Sequence, residues 1–101
     1  TQVMTDAARR DEILARLRAS GRDIVDLTWD QVTEFCGNGL ELTGSDRRLF
    51  ACSQRAAQGY TDEQRAIIER SATIVGIDVP TIELAGGSVR CMLAGVHLTA
   101  R

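Results

Sequence analysis

Nucleophilic and acid–base chemistry can come from few places in this chain. It holds three cysteines, Cys36, Cys52 and Cys91, and one histidine, His97. The stretch Gly86-Gly87-Ser88-Val89-Arg90-Cys91-Met92 stands apart. A buried structural thiol needs no glycine pair ahead of it. Two adjacent glycines let the backbone take an unusual path and leave open space beside the thiol, as a nucleophile reached by a substrate requires. From these residues alone Cys91 is either a reactive thiol or a buried cysteine in a core strand. A cysteine nucleophile also needs a proton donor or acceptor within reach. His97 does not fill that place: on a strand, the six residues from Cys91 span about 20 Å. His97 therefore reads as a packing residue, and a histidine serving Cys91 lies outside these residues.

Cys36 and Cys52 read as small core side chains. No C-x-x-C spacing occurs, and with a single histidine the chain lacks the four close ligands of a structural zinc site. No metal or other cofactor is expected. Gly37-Asn38-Gly39 invites a phosphate-loop reading, but Leu42 stands where a dinucleotide fingerprint needs its third glycine, and no lysine sits as a Walker loop requires. The triplet is then either a tight turn, since glycine and asparagine tolerate positive φ, or a turn that presents carbonyls or the Asn38 amide to a ligand.

The bulk composition narrows the classes. With 101 residues, a net charge of −2 and 44% hydrophobic residues, the chain fits one small soluble domain. Charged residues of both signs make up 26% and are mixed along the chain, and aromatics are only 4%. With no basic stripe and no stacking platform, no nucleic-acid partner is expected. No apolar run approaches a membrane span and no signal peptide is visible, so no membrane partner is expected. An odd cysteine count without a secretory signal points to reduced thiols and a cytoplasmic location. A start at Thr1 is consistent with a processed or truncated chain.

The elements that must position these residues follow from pattern. Thr5 or Asp6 caps a helix reaching about Ser20, with Gly21 as its stop and Ile13, Leu14 and Leu17 as its apolar stripe. Residues 23–27 read as a short strand, and 28–35 as one helical turn or an ordered loop. Leu40 to Leu42 and Leu49 to Cys52 flank Thr43-Gly44-Ser45-Asp46 as a β-hairpin. Thr61 and Gln64 match a capping box for a helix ending near Ser71. Thr73 to Val79 reads as a strand broken by Pro80. A last strand is expected from about Cys91 to Leu98. The order from residue 38 is strand, strand, helix, strand.

Two blocks then carry a resemblance. Asp26-Leu27-Thr28-x-x-Gln31 leads into Phe35-Cys36-Gly37-Asn38-Gly39-Leu40-Glu41-Leu42. Val79-Pro80-Thr81-Ile82-Glu83 leads into Gly86-Gly87-Ser88-Val89-Arg90-Cys91-Met92-Leu93-Ala94. Ser53-x-Arg55-Ala56 and Thr61-x-Glu63-Gln64 fall between them. From about residue 6 to residue 98 the chain resembles the C-terminal part of the guanidino-group-modifying enzymes, the pentein superfamily. The nearest likeness is to bacterial amidinotransferase-like hydrolases related to arginine deiminase, dimethylarginine dimethylaminohydrolase and citrulline hydrolase. Cys36 stands where relatives carry alanine, and Gly39 where they carry a bulky residue.

The resemblance implies an α/β fold: a partial α/β propeller built from ββαβ modules, about the last third of the whole. On that plan residues 1–37 end one module, 38–80 form a ββαβ module, and 81–101 hold the nucleophile loop and a closing strand. It implies that Cys91 is the catalytic nucleophile, attacking the central carbon of a small guanidino or ureido substrate, and that Asn38 and Gly37 line the substrate pocket. Hydrolysis and amidino transfer are both open. The family's catalytic histidine and most of its carboxylates lie upstream of residue 1, so missing N-terminal modules or a partner chain would supply them. Arg90 is expected to point away from the thiol, because neighbours in a strand face opposite sides. The alternative function is a non-catalytic binding or interaction module that keeps the family scaffold.

Overall fold

The computed structural model describes residues 2–99. Thr1 and the last two positions of the segment 81–101 lie outside them. The sheet starts from the hairpin. β1 (Leu40–Thr43) and β2 (Arg48–Ser53) run antiparallel, with Leu40 opposite Ala51 and Thr43 opposite Arg48. The turn closes where the Gly44 N–H donates to the Arg47 carbonyl at 2.8 Å. A β-carbon on Gly44 would stand 2.7 Å from that carbonyl, so the turn takes glycine alone.

β2 passes into α3 (Gln54–Gly59) without a loop. Ser53 ends the strand and caps the helix, its hydroxyl accepting from the Ala56 N–H at 3.0 Å. α4 (Asp62–Glu69) follows, opened by the Thr61–Gln64 capping box. β3 (Thr73–Ile77) then returns parallel to β2, with Phe50 opposite Ile74. The sheet order is β1-β2-β3. Ala51, Cys52 and Ser53 of the central strand are accordingly buried, while neither outer strand buries a residue. The described residues form a small mixed α/β domain, and the strand, strand, helix, strand order from residue 38 is present with its helical part split in two.

The core is small. Cys36, Cys52, Ala56, Ala57 and Tyr60 are buried together, with Leu27, Phe35, Phe50, Ile68 and Ile74 packed around them. Phe50 and Tyr60 meet edge to face at 6.4 Å, and the Tyr60 hydroxyl donates to the Cys36 carbonyl.

A second capping box opens α2 (Trp29–Thr33), between Thr28 and Gln31. The two capping glutamines also bond to each other. The Gln31 side-chain N–H groups reach the Gly59 carbonyl at 2.8 Å and Gln64 Oε1 at 2.6 Å. Gln64 Nε2 donates back to Gln31 Oε1 at 3.1 Å and to the Asp26 carbonyl at 2.6 Å.

α1 (Ala7–Ala19) starts at Asp6, whose carboxylate accepts from the Arg9 N–H at 3.0 Å, and is followed by Gly21 at φ 76°. It buries no residue: Ile13 and Leu14 are half-buried and Leu17 is exposed. The radius of gyration is 15.0 Å, against about 13 Å for a compact chain of this length, so the molecule is extended. No helix among the described residues is long and apolar enough to cross a membrane.

Two expected strands are absent. Residues 23–27 have no regular structure. The Asp26 carbonyl, a group a strand would need for its ladder, is taken by the Gln64 amide. The closing strand from Cys91 to Leu98 is instead a 3₁₀ turn over Val89–Met92 followed by irregular chain to residue 99. Its backbone donors are spent locally: the Cys91 N–H on the Ser88 carbonyl and the Arg90 N–H on Asn38 Oδ1, both at 3.0 Å. Pro80 ends no strand directly. It opens a further short helix, α5 (Pro80–Leu84), where its missing N–H costs nothing.

Candidate active site

Two loops meet at Cys91. The first is the turn after α2. Its closing bond runs from the Asn38 N–H to the Phe35 carbonyl at 2.8 Å, and Phe35 itself sits at φ 62°. A bulky side chain avoids that left-handed region unless its surroundings hold it there. Phe35 packs on the core, and the Arg55 guanidinium lies over its ring, 5.6 Å from the centroid. The same guanidinium grips Glu34 through two N–H groups, Nη2 at 2.9 Å and Nε closer. That hydrogen bonding holds the Glu34 carboxyl below the usual range. Arg55 on α3 thus fixes the residues on which the Gly37-Asn38 turn is built.

The second loop leaves α5 through Gly86, at φ 89°, a conformation that suits glycine. A β-carbon on Gly87 would touch Cys91, 3.7 Å from Sγ, so the glycine keeps that flank of the sulfur open. The 3₁₀ turn is anchored by Val89, which is 1% exposed and packs toward β2.

Where the loops touch, Asn38 uses both ends of its amide. Nδ2 donates to Cys91 Sγ at 3.1 Å, and Oδ1 accepts from the Arg90 N–H at 3.0 Å. Arg90 Nη1 closes the junction on the Gly39 carbonyl at 3.2 Å. The donated Asn38 hydrogen bond lowers the Cys91 thiol pKa below its ordinary value, with help from the Ser88 backbone and the Arg90 charge. The other two cysteines are opposite cases. Cys36 and Cys52 are buried, and burial pushes Cys36 up and Cys52 up to about 11. Cys91 is the exposed thiol of the three.

The structure therefore brings Asn38 and Cys91 into contact, and places Gly37 in the supporting turn, where an added β-carbon would meet the Leu27 side chain at 3.9 Å. The expectation that Arg90 points away from the thiol rested on a strand, and that basis is gone. The segment is a 3₁₀ turn in which Arg90 Nη1 bonds the Gly39 carbonyl, and its charge adds to the lowering of the Cys91 pKa after the Asn38 and Ser88 hydrogen bonds. His97 is exposed, and among the described residues no hydrogen bond joins it to Cys91. Sequence reasoning missed Glu34 and Arg55. The arginine was visible within Ser53-x-Arg55-Ala56, but its partner lies 21 residues away and no spacing rule links them. No group of three His, Cys, Asp or Glu side chains able to hold a metal ion occurs among the described residues.

The family model described as N,N dimethylarginine dimethylhydrolase, eukaryotic, matches residues 1–98. The chain belongs to this family. No curated protein and no solved structure matches it. The dimethylarginine dimethylhydrolases are part of the pentein superfamily, so the likeness read from the Gly37-Asn38 and Gly86-to-Cys91 blocks is borne out at that level. They hydrolyse C–N bonds and act on small guanidino substrates.

Proposed function

We propose that the chain is the C-terminal part of a cysteine-dependent hydrolase that cleaves a C–N bond of a methylated arginine, with Cys91 as the nucleophile. The observation that carries this reading is the Asn38 Nδ2–H donated to an exposed Cys91 Sγ, in a chain of the dimethylarginine dimethylhydrolase family. The Cys91 thiolate attacks the central guanidinium carbon and forms an S–C bond. The C–N bond to the methylated nitrogen breaks, and a histidine outside this chain protonates the leaving amine. Water then adds to the same carbon and the thiolate departs, leaving a ureido product. Asn38, carried by the turn to which Gly37 belongs, borders the thiol on one side, and the two residues shape the entry for substrate.

The larger plan is part of the proposal. Residues 1–37 end one module, 38–80 form a complete ββαβ module, and 81–101 carry the nucleophile loop of a propeller whose earlier modules, in the same polypeptide or a partner chain, supply the histidine and the carboxylates. The succession β1-β2-α3-α4-β3 supports this. The work is done in the cytoplasm, where the thiol stays reduced. A non-catalytic module that retains the scaffold is the competing reading, favoured by the lack of an acid–base partner for Cys91 among the described residues.

A haloacetamidine probe separates them. On the proposed reading it labels Cys91 far ahead of Cys36 and Cys52. The 101-residue chain alone shows no turnover, since it lacks general acid–base catalysis worth about 10²–10⁴-fold. Joined to its upstream modules, the protein releases dimethylamine from dimethylarginine, and Cys91→Ser abolishes release. Labelling that favours Cys36 or Cys52, or release that survives Cys91→Ser, overturns the assignment.

A further inference from the structure

The loop that carries Cys91 has a weak neck. Gly86 and Gly87 lie between the end of α5 and the 3₁₀ turn, and glycine pairs have more conformational freedom than any other dipeptide. A sulfur that must sit within hydrogen-bond reach of Asn38 Nδ2 cannot be left on such a tether. One contact spans it. The Ser88 hydroxyl donates to Glu83 Oε1 at 3.0 Å, joining α5, three residues ahead of Gly86, to the residue that follows the glycines. Ser88 is fully buried, and its backbone carbonyl accepts the Cys91 N–H at 3.0 Å. Glu83 is half-buried and is also tied through its backbone, its carbonyl accepting the Gly86 N–H at 3.0 Å.

We infer that Glu83 and Ser88 form a clamp across the glycine pair that sets the position of the Cys91 sulfur, which makes Glu83 a positioning residue for the nucleophile. The inference rests on Cys91 being the nucleophile. The logic is one of linkage: Glu83 holds Ser88, Ser88 holds the Cys91 backbone, and only with that backbone fixed does Sγ meet the Asn38 N–H. The Glu83 carboxylate lines an open cleft of about 410 Å³ together with Arg55 and Asp78. That arginine is the one that grips Glu34 and organises the Asn38 turn, so the clamp and the Asn38 turn's anchor open onto the same cleft.

The test is alkylation of Cys91 by iodoacetamide, read by peptide mass spectrometry across a range of pH, with circular dichroism on each variant. Glu83→Ala and Ser88→Ala are expected to slow Cys91 alkylation at neutral pH by about threefold to tenfold and to displace its pH profile upward. Glu83→Gln keeps an acceptor oxygen at the same reach and is expected to behave like the natural protein. Glu83→Asp keeps the charge, loses the reach and is expected to behave like Glu83→Ala. A merely structural role would lower stability and leave the Cys91 pH profile in place, which overturns the inference. So does a Glu83→Gln variant as slow as Glu83→Ala. If Glu83→Ala fails to fold, revealed by alkylation of Cys36 and Cys52, the Gln and Asp variants decide alone. If Cys91 in the natural protein alkylates no faster than a cysteine in a short peptide, the nucleophile reading itself fails, a different outcome from a fast natural thiol that Glu83→Ala does not slow.

Discussion

Replacing Val89 by alanine asks whether the turn that carries Cys91 is docked on the domain. Val89 is 1% exposed and heads the fully buried side chains by size. The substitution removes two carbons. At about 0.8 kcal/mol for each buried carbon the lost transfer energy is about 1.6 kcal/mol. The surroundings do not readily close the gap, because Ser88 beside it is pinned to Glu83 and the turn rests on β2, the central strand of the sheet. A residual cavity of roughly 40 Å³ adds about 1 kcal/mol at ~24 cal/mol per Å³. The expected loss is therefore about 2–3 kcal/mol, out of the roughly 5–15 kcal/mol that holds a domain of this size. Urea unfolding followed by far-UV circular dichroism measures it. With a slope of about 1–3 kcal/mol per molar, the midpoint falls by about 0.7–3 M with the slope unchanged. A loss under about 0.5 kcal/mol would refute the reasoning, because it would mean that the valine is not enclosed and that the turn does not rest on β2.

Two further outcomes test the core. Gly59→Ala places a β-carbon 2.7 Å from Cys36 Sγ, a clash inside the buried cluster, and is expected to destabilise by about 1–3 kcal/mol; an unchanged melting temperature would remove the clash argument. Cys52 is held protonated by burial, with its folded pKa raised from 9.0 to about 11, so its contribution to stability is complete below about pH 9 and is lost as pH rises through about 11. Urea midpoints measured across that window should fall more steeply for the natural protein than for Cys52→Ala, and parallel curves would show that the thiol does not titrate with folding.

The elements that sequence announced were those whose signals are local. The hairpin was marked by Gly44, and the α4 start by Thr61 and Gln64, each within four residues of what it controls. α3 escaped because one residue, Ser53, serves as both strand end and helix cap, leaving no turn residues to announce it, and its six residues are too few for a periodic pattern. α5 escaped because proline was read as a breaker when it also starts helices. The last strand failed for a different reason. Its apolar composition was right for a strand, but the donors of Arg90 and Cys91 had nearer acceptors in Asn38 and Ser88. At the site, Cys91 and Asn38 were singled out by sequence, yet their contact joins residues 53 apart, which no spacing rule reaches. The clamps that hold them, Arg55 on Glu34 and Ser88 on Glu83, pair ordinary polar residues, and only the fold makes them partners.

The mutual bond between Gln31 and Gln64 has a consequence for how the molecule breathes. Each glutamine caps its own helix and holds the other's amide, so neither helix start can fray while the other stays closed. α2 and α4, whose capping residues are 33 apart in sequence, therefore open together as one cooperative unit. The amide hydrogens of Gln31 and Gln64, each bonded to a capping threonine, then exchange with solvent on one shared clock. α1 buries nothing and keeps its own, faster time. The turn that delivers Asn38 follows α2 directly, so through the Gln31–Gln64 pair its persistence is tied to α4, a helix in the connection between β2 and β3.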